Sequence, residues 1–385
     1  MKLDWLKPVA VDPGPHVAVY ADVSRNNETG AHEIDLRWRD ARDELSAQGA
    51  PSAALEALDE VAGEPVEVGG RVGRALVASA QGVELDVLLP DPPLRDEATT
   101  GRVAHLMPLV RSLADDVRYV LVELDRAGAD ITVSRSDSPR GGEKRTVEGG
   151  HDVLHKIPGG GWSALRYQRR VEDSWDANAG AVADALADLV RTEHPEVVLL
   201  TGDVKAAAAL RDKAAKPVLE LLADVPGGSR HAGAKEDAFA AAVAEALEVV
   251  RRRRRDALVD EFEQEIGRTR TGQGPDGAGG AGRAVEGMRA VVGALSRGQV
   301  RTLLLRDDPT SDLRLWIGDD PTQVATTDED LRAMGVSDPL EVRADAALLR
   351  ALAATDAEIE LVAERPVMDG GIGAVLRYAD PSTAG

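Results

Sequence analysis

Between Ile157 and Trp162 the sequence reads Pro-Gly-Gly-Gly, and no helix or strand runs on through such a stretch. Proline removes a backbone donor, and successive glycines carry a large entropic cost in any regular element. The chain has to break here into a thin loop whose backbone can approach another surface closely. Directly afterwards Ala164, Leu165, Gln168 and several arginines favour a helix, with Ser163 as its expected N-cap. The outcome is a glycine tip carrying one large aromatic, Trp162, followed by a helix start bearing Arg166, Arg169 and Arg170.

Charge sharpens this reading. From Arg140 to Arg170 there are seven Lys and Arg against three acids, a window of +4 inside a chain of net charge −21. A local cationic, glycine-rich, aromatic-tipped loop suits contact with an RNA backbone. Arginines neutralise phosphates, and an indole stacks on an unpaired base or sugar. The bland alternative is a surface loop with a solvated basic face. The acidic total argues against bulk electrostatic attachment to nucleic acid, so any RNA contact has to come from local patches.

The length of 385 residues fits two or three domains, and 43% hydrophobic with 29% charged residues fits a soluble globular chain. No apolar run reaches the ~20 residues of a membrane span, and the N-terminus lacks a signal-peptide pattern. With no cysteine, disulfides, thiolate metal sites and a cysteine nucleophile are excluded. The cytoplasm is the expected location.

Strand and helix patterns alternate, which indicates α/β layers. In the first segment, 1–116, positions 17–20 read as a strand and 31–47 as a helix with Ile34, Trp38, Ala41 and Leu45 on its apolar face. Positions 73–78 and 83–88 read as strands around a Gln81-Gly82 turn. The second segment, 117–268, opens with a buried strand over 119–125 and a return strand over 130–133. A polar hairpin or loop between glycine pairs then leads to the glycine tip. Val182, Leu186, Leu189 and Val190 mark an amphipathic helix, and 197–202 a core strand ending at a glycine turn. A short helix over 206–210, a strand over 218–221 and a long helix over 238–266 follow. The Arg251 to Arg255 run on that helix reads as solvated or paired at i,i+4 with the acids after it. The glycine-rich stretch 269–282 is a linker. The last segment, 283–385, reads as a helix over 285–295 stopped by Gly298, a strand over 300–305, a helix over 344–354, a strand over 359–362 and a closing run from Gly370 to Tyr378.

Two strings mimic sites. His151-Asp152-Val153-Leu154-His155 has a two-histidine zinc spacing, but the glycines and proline around it leave barely two helical turns and no third ligand. Gly272-Gln273-Gly274-Pro275-Asp276-Gly277 matches a dinucleotide fingerprint as a string, yet it follows a charged helix rather than a strand. No metal and no cofactor are expected.

The run Gly160-Gly161-Trp162-Ser163-Ala164-Leu165-Arg166-Tyr167 resembles the Gly-Gly-Gln-Ser-Ala-x-Arg-Phe segment in the middle domain of archaeal and eukaryotic class-I release factors. Trp162 stands where that family has its catalytic glutamine. The chain is similar to the bacterial release-factor-like proteins of the Balon group, ribosome hibernation factors related to Pelota. This resemblance implies a multi-domain α/β fold. Its parts are an N-terminal α/β domain (1–116), an RNase H-like middle domain (117–268) with its glycine-rich loop at 158–162, and a C-terminal αβα sandwich (283–385) of the ribosomal-protein-like type found as release-factor domain 3. Neither the Asn-Ile-Lys-Ser motif nor the cysteine-containing motif of stop-codon reading occurs in this chain.

In release factors the glutamine helps to place water at the peptidyl-tRNA ester. Tryptophan has one N–H donor and no acceptor, and Gln168, six residues on, is a poor substitute. The resemblance therefore implies a factor that is not an enzyme. It would occupy the ribosomal A site and insert Gly159 to Trp162 toward the peptidyl-transferase centre without hydrolysis. The residues expected against ribosomal RNA are Lys156, Pro158, Gly159, Gly160, Gly161, Trp162, Ser163, Arg166, Arg169 and Arg170. Implied partners are the ribosome, through 23S and 16S rRNA, and an elongation-factor GTPase such as EF-Tu, with a monomeric protein and no membrane. Two alternatives stay open: a peptidyl-tRNA hydrolase, and a Pelota-like rescue factor for stalled ribosomes.

Overall fold

The computed structural model of the chain describes residues 1–25, 30–63, 66, 70–125, 128–136, 138, 142–148, 162–228, 236–271, 282–363 and 365–379, without the side chains of 30, 31, 148, 162–176, 236 and 271. Two compact units result, one formed by 1–115 with 255–385 and the other by 116–254.

In the first segment α1 (Lys7–Val11) leads into β1 (His16–Asp22), followed by α2 (Gly30–Ala47), α3 (Ser52–Ala62), β2 (Gly73–Ser79), β3 (Gly82–Leu89), β4 (Glu97–Gly101) and α4 (Met107–Leu113). The strands form one antiparallel sheet in the order β3-β2-β1-β4. Alternation along β1 divides its side chains between two cores. Val17 and Val19 meet Leu45, Leu55 and Leu58 of α2 and α3, while Ala18 and Tyr20 face α4. The apolar stripe expected on α2 holds, with Ile34 and Leu45 buried and Trp38 and Ala41 packed on the same side as Leu45.

The second unit is built on β5 (Arg118–Leu124), β6 (Gly128–Arg135), β7 (Glu143–Glu148), α5 (Trp162–Glu193), β8 (Val197–Gly202), α6 (Val204–Lys213), α7 (Lys216–Leu221), β9 (Leu222–Asp224) and α8 (Glu236–Thr271), whose last turns belong to the other unit. The sheet order is β7-β6-β5-β8-β9. β5, β6 and β7 are antiparallel neighbours, whereas β8 runs parallel to both β5 and β9. Both faces are covered. Val120, Val122, Val198 and Leu200 pack under Val182 and Leu186 of α5, with Leu210 and Val218 beside them. Leu199 and Val197 face Leu247 and Val243 of α8 on the other side. At the end of β8, Gly202 has φ +122°, and a Cβ there would lie 1.8 Å from the Leu124 carbonyl oxygen. Asp203 then caps α6 by accepting from the backbone N–H groups of Lys205 (2.8 Å) and Ala206 (3.1 Å).

The last segment contains β10 (Ala284–Glu286), α9 (Met288–Ser296), β11 (Val300–Arg306), β12 (Arg314–Ile317), β13 (Val324–Ala325), α10 (Asp328–Ala333), β14 (Leu340–Arg343), α11 (Ala344–Ala354), β15 (Glu358–Val362) and β16 (Ile372–Leu376). A mixed sheet runs β10-β16-β11-β15, and a small one runs β13-β12-β14. Its core is continuous with that of the first segment: Leu3, Leu6 and Leu109 share one cluster with Leu348, Leu349 and Leu352 of α11. The segments read separately from the sequence thus close over one core.

Three sequence expectations are corrected. Positions 218–221 lie in α7, because Pro217 is tolerated in the first turn of a helix; the strand is the following Leu222–Asp224. Val285 and Glu286 belong to β10, and Gly287 at φ +82° turns the chain before α9 starts at Met288. Arg251, Arg254 and Arg255, expected to be solvated or paired along the helix, reach beyond it, although Arg251 also pairs with Glu248 three residues back at 3.5 Å. Arg251 donates to Ser136 Oγ at 2.8 Å, Arg254 pairs with Glu196 at 3.1 Å, and Arg255 pairs with Asp115 at 2.7 Å. The run ties α8 to distant chain through these residues, while Arg252 and Arg253 stay exposed. No helix among the described residues is long and apolar enough to cross a membrane.

Candidate functional site

β7 is the edge strand of the second unit, paired with β6 from Val133↔Glu143 to Gly128↔Glu148. The chain leaves that edge at Glu148 and is helical again from Trp162. Lys156, Pro158, Gly159, Gly160 and Gly161 lie outside the described residues, as does the two-histidine stretch 151–155 and the string 272–277. Trp162, Ser163, Arg166, Arg169 and Arg170 form the first turns of α5. The helix already includes Trp162, so Ser163 is inside it rather than capping it.

Helix geometry supplies a relation that residue spacing alone left unread. At 3.6 residues per turn, positions 162, 166, 169 and 170 fall within about 100° of one another around the axis. Positions 182, 186 and 189 centre roughly 180° away on the same ideal helix. Val182 (1% exposed) and Leu186 (0%) are the ones that anchor α5 to the sheet. The arginine positions and the tryptophan position therefore share the helix face opposite the anchored one.

The electrostatic setting is more selective than the count over 140–170 suggests. Lys144 pairs with Asp130 at 3.1 Å, and Arg145 Nε donates to Glu143 at 3.0 Å. The hydrogen bond from Arg145 holds the Glu143 carboxyl below the usual carboxylate range. These two cations are engaged on the strand, which leaves the start of α5 as the described stretch within 140–170 where basic positions cluster. On the larger scale, residues 116–254 hold 21 Lys and Arg against 23 Asp and Glu, while the rest of the chain holds 25 against 44. The unit formed by 116–254 is close to neutral, and the acidity of the chain sits in the other unit.

Residues 118–268 match the family model described as bacterial archaeo-eukaryotic release factor family 2. Over the whole chain there is 28% identity across 387 residues to an uncharacterized protein of Mycobacterium tuberculosis, Rv2629 in strain H37Rv, covering 100% of this chain and 98% of that one. Among solved structures, the archaeal translation termination factor aRF1 aligns at 16% identity with a TM-score of 0.24, covering 97% of this chain and 96% of its own. Dom34 of S. cerevisiae, described as a translation termination-like factor that interacts with Hbs1, aligns at 11% identity with a TM-score of 0.39 over 81% and 82% of the two chains. The matched segment 118–268 spans the sheet, the Gly159–Gly161 sequence run and the basic start of α5.

Proposed function

Because this chain is release-factor-like, its residues 118–268 matching bacterial archaeo-eukaryotic release factor family 2, we propose that it is a ribosome-binding hibernation factor. It occupies the A site of an idle ribosome, directs Gly159 to Trp162 toward the peptidyl-transferase centre, and leaves peptidyl-tRNA intact. The observation that carries this reading is Trp162 directly after the glycine run in the matched segment. The loop retains its glycines, so its backbone can still approach RNA closely. The position where the family resemblance has a glutamine holds a side chain with one donor and no acceptor. A water molecule cannot be held there by accepting one of its hydrogens, whereas an indole can stack on a base or sugar. The helix face bearing positions 166, 169 and 170 supplies charge for phosphates just behind the tip. An elongation-factor GTPase such as EF-Tu is the delivering partner that the resemblance implies.

The test uses purified ribosomes, vacant or stalled with peptidyl-tRNA. The protein is expected to co-sediment with vacant ribosomes, to lose that binding on combined Trp162→Ala and Arg166→Ala substitution, and to release no peptide. Ester hydrolysis by the wild-type protein would instead establish a hydrolase. Preference for stalled ribosomes with splitting of subunits would establish a rescue factor.

A further inference from the structure

The packing of α2 on its sheet is interrupted. One apolar cluster joins Leu45 to Val17 and Val19, and a second joins Ile34 to Val23 and Val72. Between them the facing residues are small: Ala21 on β1, Ala41 on α2, Ala62 on α3 and Ala98 on β4. Native interiors leave few voids larger than a water molecule. Here the alanines leave a hollow of about 200 Å³, and the Trp38 indole forms one of its walls. Trp38 Nε1 donates to Asp59 on α3 at 3.0 Å, which holds the ring in place. An apolar cavity of about 150 Å³ takes up benzene, so this hollow has room for a ring and a short arm.

The rim of the hollow is charged, with an excess of acid. Arg37 on α2 reaches to the strand ends, its Nη1 donating to the Asp22 carbonyl at 2.9 Å and its Nε 3.4 Å from Asp96 Oδ2. The Asp22 carboxylate lies 4.0 Å from Nη2 of the same side chain, so one guanidinium serves two carboxylates. Arg74, opposite Ala21 in the β1–β2 ladder, is engaged by Asp86 at 2.8 Å and by the Val61 carbonyl at 2.9 Å. Asp40 and Glu44, one turn apart on α2, are exposed at the rim, and neither has an ion-pair partner among the described residues. Glu97, opposite Tyr20 in the β1–β4 ladder, carries its side chain on the other face of the sheet. With Asp86 included, five carboxylates stand against two guanidiniums. Such surroundings repel phosphate and carboxylate groups and favour a positive one, and an indole wall adds to that preference.

We propose that this hollow binds a small organic cation, a ring-sized apolar body with one ammonium arm. The body lies among the alanines and Trp38, and the ammonium points to the rim at Asp40, Glu44 and Asp96. Apolar surface then leaves water on the floor of the hollow, while the charge stays at the mouth and keeps part of its hydration. The site lies within the first segment and stands independently of the ribosome reading.

The test titrates the full chain with 2-phenylethylammonium chloride, and with 2-phenylethanol and 3-phenylpropionate as neutral and anionic comparators of similar size. Binding is read by calorimetry and by the indole N–H resonance of Trp38, assigned through Trp38→Phe. The expected result is one cation per chain, with the anion at least about tenfold weaker and the alcohol between them. Ala41→Leu keeps a strong helix former on α2 and fills the hollow, so it should hold or raise the Tm and abolish cation binding. Asp40→Asn combined with Glu44→Gln, both at exposed positions, should weaken the cation severalfold and leave the alcohol unchanged. Three results would each overturn the proposal: no saturable signal up to about 10 mM cation, equal affinities for the three compounds, or a folded Ala41→Leu variant that still binds. Should Ala41→Leu fail to fold, the Asp40 and Glu44 variant decides, and an unchanged preference for the cation there overturns the proposal as well.

Discussion

Asp345, at the start of α11, is surrounded by donors: Arg343 Nη2 at 2.7 Å, the Ala346 N–H at 2.7 Å and His105 Nε2 at 3.6 Å. Burial opposes its charge, but His105 and Arg343 outweigh burial and hold the carboxyl far below the usual carboxylate range. A folded value depressed in this way contributes stability above the unfolded value of about 3.9, and that stability is lost as pH falls through the folded value. Asp345→Asn is therefore expected to cost about 1–3 kcal/mol at neutral pH. The gap between wild type and variant in thermal melts should narrow as pH falls below about 4, and a gap that stays constant with pH would contradict the assignment. Trp162 is the residue on which the proposed function turns. Trp162→Ala should weaken ribosome binding without creating hydrolysis, whereas Trp162→Gln, which puts an amide donor and acceptor at the tip, should raise peptide release above the wild-type background. A peptide-release time course with purified peptidyl-tRNA complexes reads both.

At the scale of elements, the start of α5 and the end of β8 make the sharpest claims. If positions 166, 169 and 170 meet phosphates, each Arg→Ala change should lower the slope of log affinity against log salt by about 0.7–0.9. Changes at exposed Arg252 and Arg253 of α8 serve as the comparison. Gly202→Ala combines a positive φ with a clash against the Leu124 carbonyl, and should cost about 3 kcal/mol or more in urea denaturation. How far the elements showed in the sequence depended on what fixed them. β5, β8 and the C-terminal half of α5 showed through apolar runs and helical spacing, since both faces of that sheet are buried. α3 carries a helical spacing in Leu55, Leu58 and Ala62, but β4 gives no sign, as Ala98 is its one buried residue. α7 and β10 were misread because Pro217 and Gly287 act through backbone conformation while the apolar pattern around them stays ambiguous. The partners of Arg254 and Arg255 lie 58 and 140 residues away, beyond any local pattern.

For the molecule as a whole, the joint core of the first and last segments was the least legible feature, since periodicity within 1–115 or 283–385 says nothing about a surface shared between them. It has a consequence. Leu352 is fully buried in that cluster, and Leu352→Ala should cost about 2–5 kcal/mol. Hydrogen exchange should show residues of α1 and α11 losing protection together, whereas loss confined to the last segment would mean that the two cores are separate. The uneven charge, near balance in 116–254 and strongly acidic elsewhere, agrees with an RNA contact restricted to one unit. The candidate site itself was legible as residue types: a glycine run, an indole and basic positions could be read directly. The shared helix face needed the extent of α5. The most direct measurement is a density map of the protein bound to vacant ribosomes and to ribosomes carrying peptidyl-tRNA. The account expects Gly159 to Trp162 at the peptidyl-transferase centre with Arg166, Arg169 and Arg170 against 23S rRNA phosphates, and an intact ester wherever peptidyl-tRNA is present. A loop folded back onto its own unit, or a cleaved ester, would contradict it.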